Sequence, residues 1–281
     1  MTRKAITLST GVTLDYVERG PRNGLPVLLL HGWPDSWRSY ETMLPHMPAG
    51  FRVVAPSLRG FGESSRLETS YRPQDFAADL RALMDALGLM RAVIVGHSMG
   101  SVIALSFALA HPERVAGLGL IGGFAGLKDN ALCHDMWDQA IASLEEPIDC
   151  GFVQEFQEST FNLPVAKSFV NMLVAESLRA PARVWRASFR ALLQEDLSAS
   201  LGEIAAPTFL MWGDQDGMID RSEQDKLAAR IPEAHLVVYR GCGHSPHWER
   251  PDRVAADLTA FISARVAEGV PVRREARRNA A

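Results

Sequence analysis

A serine between two glycines carries the clearest chemical signal in this sequence. Residues 96–100 read Gly-His-Ser-Met-Gly, which matches the pattern G-x-S-x-G with Ser98 at its centre. The apolar run 92–95 predicts a buried strand before the motif, and apolar residues at helical spacing follow it. An ordinary serine on a glycine turn is the plainer interpretation. The strand-to-helix context favours a nucleophile whose hydroxyl stands clear of the sheet at a helix N-terminus.

A serine hydroxyl is a weak nucleophile until a base takes its proton. Among the eight histidines, His244 is the best candidate for that base. It follows the last predicted strand, 236–239, on a loop flanked by glycine, and therefore lies at the same sheet edge as Ser98. His247, three residues further on, is the alternative.

The base in turn needs an acid to orient it. Three aspartates follow the preceding predicted strand, 207–212. We predict Asp216, which stands just before a glycine, as the orienting acid. Asp214 is the main competitor, Asp220 is the third possibility, and each could instead be a plain turn residue.

Negative charge that develops on a carbonyl oxygen during acyl transfer needs two backbone N–H donors. Met99, directly after the nucleophile, is predicted to supply one of them. Trp33 lies in the loop after the predicted strand 26–30 and is predicted to supply the other. His31 and Gly32 would hold the shape of that loop rather than take part in chemistry.

The elements around these residues alternate between strands and helices, which predicts a mostly parallel sheet with helices on both faces. A hairpin is predicted at residues 6–18, and an amphipathic helix at 73–87. Sites in such sheets lie at the carboxyl ends of the strands. The loops that carry the candidate residues all fall at that edge.

Residues 126–203 interrupt the alternation and read as four helices, at 133–144, 152–161, 165–178 and 181–193. We predict that this segment is a helical cap over Ser98. The core domain would then comprise residues 1–125 and 204–268, and a polar, flexible tail would comprise 269–281. The predicted substrate-binding residues are apolar side chains near the site, namely Trp33, Phe124, Trp137, Phe156, Trp185 and Met218.

Composition excludes several classes of function. The 281 residues are 47% hydrophobic and 22% charged, and the net charge of −4 gives no support to a nucleic-acid or membrane-surface partner. No run is long enough for a signal peptide or a membrane span. The three cysteines have no metal-binding spacing, so we expect reduced thiols, a cytoplasmic protein, and no metal or organic cofactor. A monomer or a homodimer is expected.

Several of these segments together resemble the α/β-hydrolase fold, over nearly the whole chain. The resemblance rests on loop motifs, namely His31-Gly-Trp-Pro-Asp-Ser36, Leu58-Arg-Gly-Phe-Gly-Glu-Ser64, Gly96-His-Ser-Met-Gly100, Trp212-Gly-Asp-Gln-Asp216 and Gly243-His244. It implies a mostly parallel eight-stranded sheet flanked by helices, with a helical cap inserted after the sixth strand. The chain order Ser98, Asp216, His244 is the order of that fold.

Within the superfamily, the His-Gly-Trp-Pro and Arg-Gly-Phe-Gly motifs are similar to the epoxide hydrolase and haloalkane dehalogenase branch. Enzymes of that branch use an aspartate nucleophile, and this chain has Ser98. The predicted cap contains no tyrosine to assist epoxide opening, and Met99 stands where a dehalogenase would have a halide-binding tryptophan. The resemblance therefore implies the scaffold of that branch with the machinery of a serine hydrolase.

These observations predict a serine hydrolase that cleaves a small to medium, mostly apolar carboxylic ester through an acyl-enzyme on Ser98. A lactonase, a carbon–carbon bond hydrolase and a cofactor-free haloperoxidase or perhydrolase would use the same triad, and stay open as alternatives. From a different class of protein, a ligand sensor could retain the triad and signal through movement of the cap.

Overall fold

The computed structural model describes residues 2–68 and 70–266. Its eight strands form one sheet in the order β1-β2-β4-β3-β5-β6-β7-β8. The first two pairings, β1 with β2 and β2 with β4, are antiparallel, and the others are parallel. The strands are β1 (Thr2–Thr7), β2 (Thr13–Arg19), β3 (Leu25–Leu30), β4 (Phe51–Pro56), β5 (Ala92–His97), β6 (Val115–Ile121), β7 (Thr208–Gly213) and β8 (Ala234–Tyr239).

The central strands are apolar because both faces of the sheet are covered. Along β3, Leu28 and Leu30 belong to one hydrophobic core, and Val27 and Leu29 belong to the other. All four side chains are fully buried. The alternation follows from the two-residue period of a strand, which sends successive side chains to opposite faces.

Nine helices occur in the described part of the chain. They are α1 (Pro73–Ala86), α2 (Met99–Ala110), α3 (Ala131–Gln139), α4 (Cys150–Ser159), α5 (Lys167–Ser177), α6 (Ala182–Gln194), α7 (Arg221–Arg230), α8 (Pro246–Glu249) and α9 (Pro251–Arg265). Helices α1 and α2 contribute to the first core, and α9 contributes to the second. None of these helices is long and apolar enough to cross a bilayer.

Helices α3 to α6 lie between β6 and β7, where four helices were predicted. The first is shorter than predicted, because Ala140 leaves the helical conformation (φ −136°) and a separate 3-10 turn follows at Ile141–Ser143. Helix α4 begins two residues earlier than predicted, because the Asp149 side chain caps the Phe152 N–H. The predicted tail, 269–281, lies outside the described residues.

Candidate active site

The turn at Ser98 joins β5 directly to α2. Ser98 has φ 51° and ψ −116°, and no other non-glycine residue in the described ranges has a positive φ. Its N–H donates to Ile121 O at 2.9 Å, and Ser101 donates to its carbonyl from both N (2.8 Å) and Oγ (2.6 Å). These bonds hold a backbone conformation that is otherwise unfavourable by about 1–3 kcal/mol.

The two glycines of the motif are required by close backbone contacts. A Cβ on Gly96 would lie 2.1 Å from Gly100 O, and a Cβ on Gly100 would lie 2.2 Å from Leu30 O. A side chain at either position would therefore push β5, α2 and the end of β3 apart. The G-x-S-x-G pattern reflects this contact between three elements.

His244 and Asp216 form a buried pair. His244 Nδ1 and Asp216 Oδ2 are 2.8 Å apart, and the two side chains are 3% and 0% exposed. The other oxygen, Asp216 Oδ1, accepts from the N–H groups of Met218 (2.9 Å) and Ile219 (3.0 Å). With Nδ1 donating to the carboxylate, His244 Nε2 carries the lone pair that a general base needs.

His244 Nε2 is buried and has no hydrogen-bond partner among the described residues, so Ser98 Oγ is not bonded to it. Both residues nevertheless line one cavity. Catalytic hydrogen bonds are often long in the absence of substrate and tighten when it binds.

The competing residues have other roles. Asp214 Oδ1 accepts from Gly241 N at 2.7 Å, and Asp220 caps α7 through the Glu223 N–H at 3.1 Å. His247 packs against the rings of Tyr40 and His97, and it does not line the cavity that contains Ser98. The structure thus brings Asp216, rather than Asp214 or Asp220, to His244.

The loop after β3 lies against Ser98. A Cβ on Gly32 would be 3.3 Å from Ser98 Cβ and 2.7 Å from His97 Nδ1. His31 holds this loop, because its Nε2 accepts from Leu58 N at 2.8 Å and its Nδ1 donates to Gly32 O at 2.7 Å. Burial lowers the pKa of His31 to about 4, so the ring is neutral at pH 7.

Two backbone N–H groups near Ser98 have no acceptor among the described residues. Within residues 2–68 and 70–266, neither Met99 N–H nor Trp33 N–H makes a hydrogen bond. Met99 begins α2, where N–H groups have no partner within the helix. Trp33 Nε1 donates to Ser188 Oγ of α6 at 3.1 Å, which ties this loop to the helical segment.

The cavity has a mostly apolar lining. Its aromatic and thioether side chains include Trp33, Phe124, Phe156, Phe189, Met218 and Trp248. Four of the six predicted substrate-binding residues are therefore at the cavity.

The other two predicted substrate-binding residues do not line it. Trp185 is fully buried behind Trp33, with ring centroids 4.7 Å apart, and its Nε1 donates to Ser177 O. Trp137 is half-buried on α3 and packs against the first core. Both indoles pack against other apolar side chains instead of facing the cavity. Sequence periodicity shows that a side chain is buried, but it does not show whether that side chain packs in the core or lines a cavity.

Four polar residues of the cavity were absent from the predicted site, namely Asp35, His97, Gln157 and Thr160. Asp35 and Gln157 line the cavity together with Ser98. Asp35 belongs to the loop at the carboxyl end of β3, a position that could have marked it. Gln157 had no comparable signal, because one glutamine on an amphipathic helix usually faces solvent.

Among residues 2–68 and 70–266, no group of three or more His, Cys, Asp or Glu side chains could hold a metal ion. Cys133 lines the cavity, and burial together with nearby Asp216 raises the pKa of its thiol to about 12. The thiol is therefore protonated and unreactive at neutral pH.

Comparison with known proteins agrees with this geometry. The chain is 28% identical over 273 residues to a non-heme chloroperoxidase from Streptomyces lividans, covering 92% of this chain and 98% of that protein. It is 31% identical to 2-hydroxy-6-oxononadienedioate/2-hydroxy-6-oxononatrienedioate hydrolase 2 from Pseudomonas putida, covering 80% and 83%. A thermophilic esterase from Thermogutta terrifontis has a similar structure, with a TM-score of 0.82, 26% identity and coverage of 94% and 99%.

A family model described as alpha/beta hydrolase fold matches residues 26–251, which include every residue of the site described above. The match extends over most of the chain, and the eight-stranded sheet has the expected mostly parallel arrangement. This chain belongs to the α/β-hydrolase-fold family of hydrolases.

Proposed function

We propose that this hydrolase cleaves a small to medium, mostly apolar carboxylic ester through an acyl-enzyme on Ser98. The observation that carries the proposal is the approach of Ser98 and an aspartate-paired histidine, His244, to one apolar cavity. Such a site supplies a nucleophile, a base and an orienting carboxylate without a cofactor.

In the proposed reaction, Ser98 Oγ attacks the carbonyl carbon of the ester while His244 Nε2 takes the hydroxyl proton. The N–H groups of Met99 and Trp33 stabilise the oxygen that becomes negative. His244 then gives its proton to the alkoxide oxygen of the leaving alcohol, and the acyl group stays on Ser98. Asp216 stabilises the protonated imidazole throughout.

The second half of the reaction repeats these steps with water. His244 Nε2 removes a proton from a water molecule as its oxygen attacks the acyl carbon. The tetrahedral intermediate collapses, the carboxylic acid leaves, and the proton returns to Ser98 Oγ. Each proton taken is thus given back, and no oxidant or reductant is consumed.

We propose residues 126–203 as the cap over this site and the rest of the described chain as the core. Phe156 and Phe189 of this segment line the cavity beside Trp33 of the core loop, and their contacts with the Trp33 ring support this division. We further propose a cytoplasmic enzyme, in keeping with the three free cysteines. A monomer or homodimer stays our expectation.

A carbon–carbon bond hydrolase is the second candidate, because several relatives carry names of that activity. The substrate named for the Pseudomonas putida relative is a dicarboxylate. None of the described residues that line the cavity of this chain is a lysine or arginine. We therefore propose an apolar ester or lactone, rather than a dianion, as the substrate. Perhydrolysis would be a side reaction of the same acyl-enzyme.

The test is turnover of 4-nitrophenyl esters of rising acyl length by the wild type and by Ser98→Ala. We expect steady wild-type turnover and a loss of about 10⁴-fold or more in kcat in the variant. Ser106→Ala, on the same helix α2 and outside the cavity, is the matched control and should keep wild-type rates.

Turnover by Ser98→Ala at rates near those of the wild type would contradict the assignment of Ser98 as the nucleophile. A single burst equal to the enzyme concentration, with no steady phase, would instead support a ligand sensor.

A further inference from the structure

A buried polar pair stands in the otherwise apolar cavity. Gln157 Nε2 of α4 donates to Asp35 Oδ1 of the β3 loop at 2.9 Å. The two residues are only 0% and 2% exposed, and both line the cavity beside Ser98. Asp35 is the only carboxylate among the described residues of that lining. The pair is therefore desolvated and forms part of the cavity wall.

The orientation of the Gln157 amide follows from its second partner. Ser177 Oγ donates its only proton to Leu173 O at 2.8 Å, so it can only accept from Gln157. The atom of Gln157 at that contact, 2.9 Å away, must therefore be the amide nitrogen. This assignment leaves Gln157 Oε1 as the free end of the amide, and that oxygen is buried without a hydrogen-bond partner.

With Asp35 ionised, as it is above about pH 7, the free atoms of the pair are both hydrogen-bond acceptors. Asp35 Oδ2 makes no hydrogen bond with the described residues, and both N–H groups of the Gln157 amide are used. Burial raises the pKa of Asp35 to about 7, against the opposing effects of the Gln157 hydrogen bond and of nearby His244. Of the other groups near Asp35, Tyr40 donates its hydroxyl proton to Leu30 O, so it does not satisfy the carboxylate.

An unsatisfied buried acceptor costs about 1–3 kcal/mol, so an apolar substrate would leave this pair in an unfavourable state. A ligand with an O–H or N–H group could satisfy it. Sites built around such polar atoms discriminate strongly against analogues that lack the matching group.

We propose that Asp35 and Gln157 form a specificity subsite for a hydrogen-bond donor of the substrate, a hydroxyl or a protonated amine on an otherwise apolar ester. This inference rests on the proposed function for the ester bond. It concerns a different part of the ligand, because Asp35 and Gln157 bind rather than react.

The experiment compares three 4-nitrophenyl esters of equal chain length, the hexanoate, the 6-hydroxyhexanoate and the 6-aminohexanoate. A second set consists of acetate esters whose six-carbon alcohol part ends in the same methyl, hydroxyl or amino group. In at least one set, we expect kcat/KM of the wild type to favour a donor terminus over the methyl terminus by about tenfold or more. The hydroxyl and ammonium arms show which donor the subsite prefers.

Two variants test the residues themselves. Asp35→Asn keeps the shape but presents an N–H group or a neutral oxygen, and Gln157→Leu removes the free amide oxygen. We expect each to reduce the preference for the donor terminus to about twofold or less, because kcat/KM for the donor-terminated ester should fall by a larger factor than kcat/KM for the methyl-terminated ester. Thr160→Val is the control, because its hydroxyl lies on the same lining but donates to Gln157 O of its own helix.

A wild-type preference for the methyl terminus in both sets, or a donor preference that both folded variants retain, would overturn the proposal. If the pair only holds a buried water molecule, we expect one of these two contradicting results.

Binding separates this inference from the ester hydrolase itself. The affinity of Ser98→Ala for the esters of both sets can be read from tryptophan fluorescence, since Trp33 and Trp248 line the cavity. Tighter binding of a donor-terminated ester, lost on adding Asp35→Asn, supports the subsite even if the wild type hydrolyses none of them. Equal binding of the three termini in both sets, together with wild-type turnover that depends on Ser98, rejects the subsite and keeps the hydrolase.

Discussion

The backbone of Ser98 lies where few non-glycine residues do, and its neighbours make that conformation possible. The turn depends on Gly96 and Gly100, whose missing side chains let β5, α2 and the end of β3 touch. The Ser98 hydroxyl and the Met99 N–H are thus positioned by contacts of the backbone, which no side-chain rearrangement can replace.

At this scale we predict that Gly100→Ala is poorly tolerated. Its Cβ would lie 2.2 Å from Leu30 O and 2.8 Å from His31 O, so the backbone must move. We expect a loss of about 3 kcal/mol in the free energy of unfolding, together with a fall in kcat of about tenfold or more. Urea denaturation and ester turnover measure both quantities.

Gly50→Ala is the matched control for that substitution. A Cβ on Gly50 would have no atom within 4 Å, and Gly50 has no positive φ. Gly50→Ala should therefore change the free energy of unfolding by no more than about 0.5 kcal/mol. Equal stability of the two variants would show that the motif glycines are not sterically required.

At the scale of elements, a buried ion pair joins the loop after β4 to α1. Arg59 donates from Nε to Asp79 Oδ2 at 2.6 Å and from Nη2 to Oδ1 at 2.7 Å. The two side chains are 8% and 3% exposed. The same loop continues to Phe61, which packs edge-on against His31, so the ion pair supports the loops around the site.

We predict that Arg59→Ala lowers the free energy of unfolding by about 3–5 kcal/mol, because it leaves the Asp79 carboxylate buried without its cation. The double variant Arg59→Met with Asp79→Leu should lose much less free energy of unfolding than the sum of the losses in the two single variants. A double-mutant cycle in urea measures this coupling.

The comparison for this cycle is the less buried pair of Arg72 Nε and Asp75 Oδ2, which are 3.5 Å apart and whose side chains are 67% and 21% exposed. Arg72→Ala should cost less than about 1 kcal/mol. A cost for Arg59→Ala as small as this one would mean that the buried pair contributes no more than a surface pair.

At the scale of the whole molecule, several buried histidines are neutral. Burial lowers the pKa of His31 to about 4 and that of His247 to about 3. Burial, with the neighbouring rings of His247 and His244, holds the pKa of His97 well below its usual value. Each ring binds a proton in the unfolded chain near pH 6.5 but not in the folded protein.

The unfolded state therefore binds more protons between about pH 4 and 6.5, so stability falls as the pH is lowered through this range. His31 and His247 should each lower the free energy of unfolding by about 2 kcal/mol at pH 5 relative to pH 7, and His97 acts in the same direction. Asp35 acts in the opposite direction, because its raised pKa makes the folded state bind the extra proton between about pH 4 and 7. We expect a net loss of a few kcal/mol at pH 5, measured by urea denaturation at both pH values.

The contribution of one ring can be isolated with His247→Phe. Neither nitrogen of His247 has a partner in the described structure, and its ring packs against Tyr40 and Trp248. Phenylalanine should keep this packing and reduce the loss between pH 7 and 5 by about 2 kcal/mol. His46→Phe, at an exposed position, is the control and should leave the wild-type pH dependence. An unchanged pH dependence for His247→Phe would contradict the assignment.

The sequence alone determined the features that depend on neighbouring residues. The periodicity of apolar residues predicted the strands and most helix positions, since a strand repeats every two residues and a helix every 3.6. The glycines beside Ser98 marked its turn, because the conformation is required locally. The loop positions of His244 and Trp33 followed from the rule that parallel strands end at one edge.

Only the tertiary structure decided which distant side chains meet. Asp214, Asp216 and Asp220 share one loop region in sequence, and only the folded chain brings Asp216 to His244. Trp185 had the same apolar signal as Phe156, yet it packs behind Trp33 rather than at the cavity. Asp35 and Gln157 lie 122 residues apart. Their contact depends on how α4 lies over the β3 loop, and periodicity along one element carries no information about that placement.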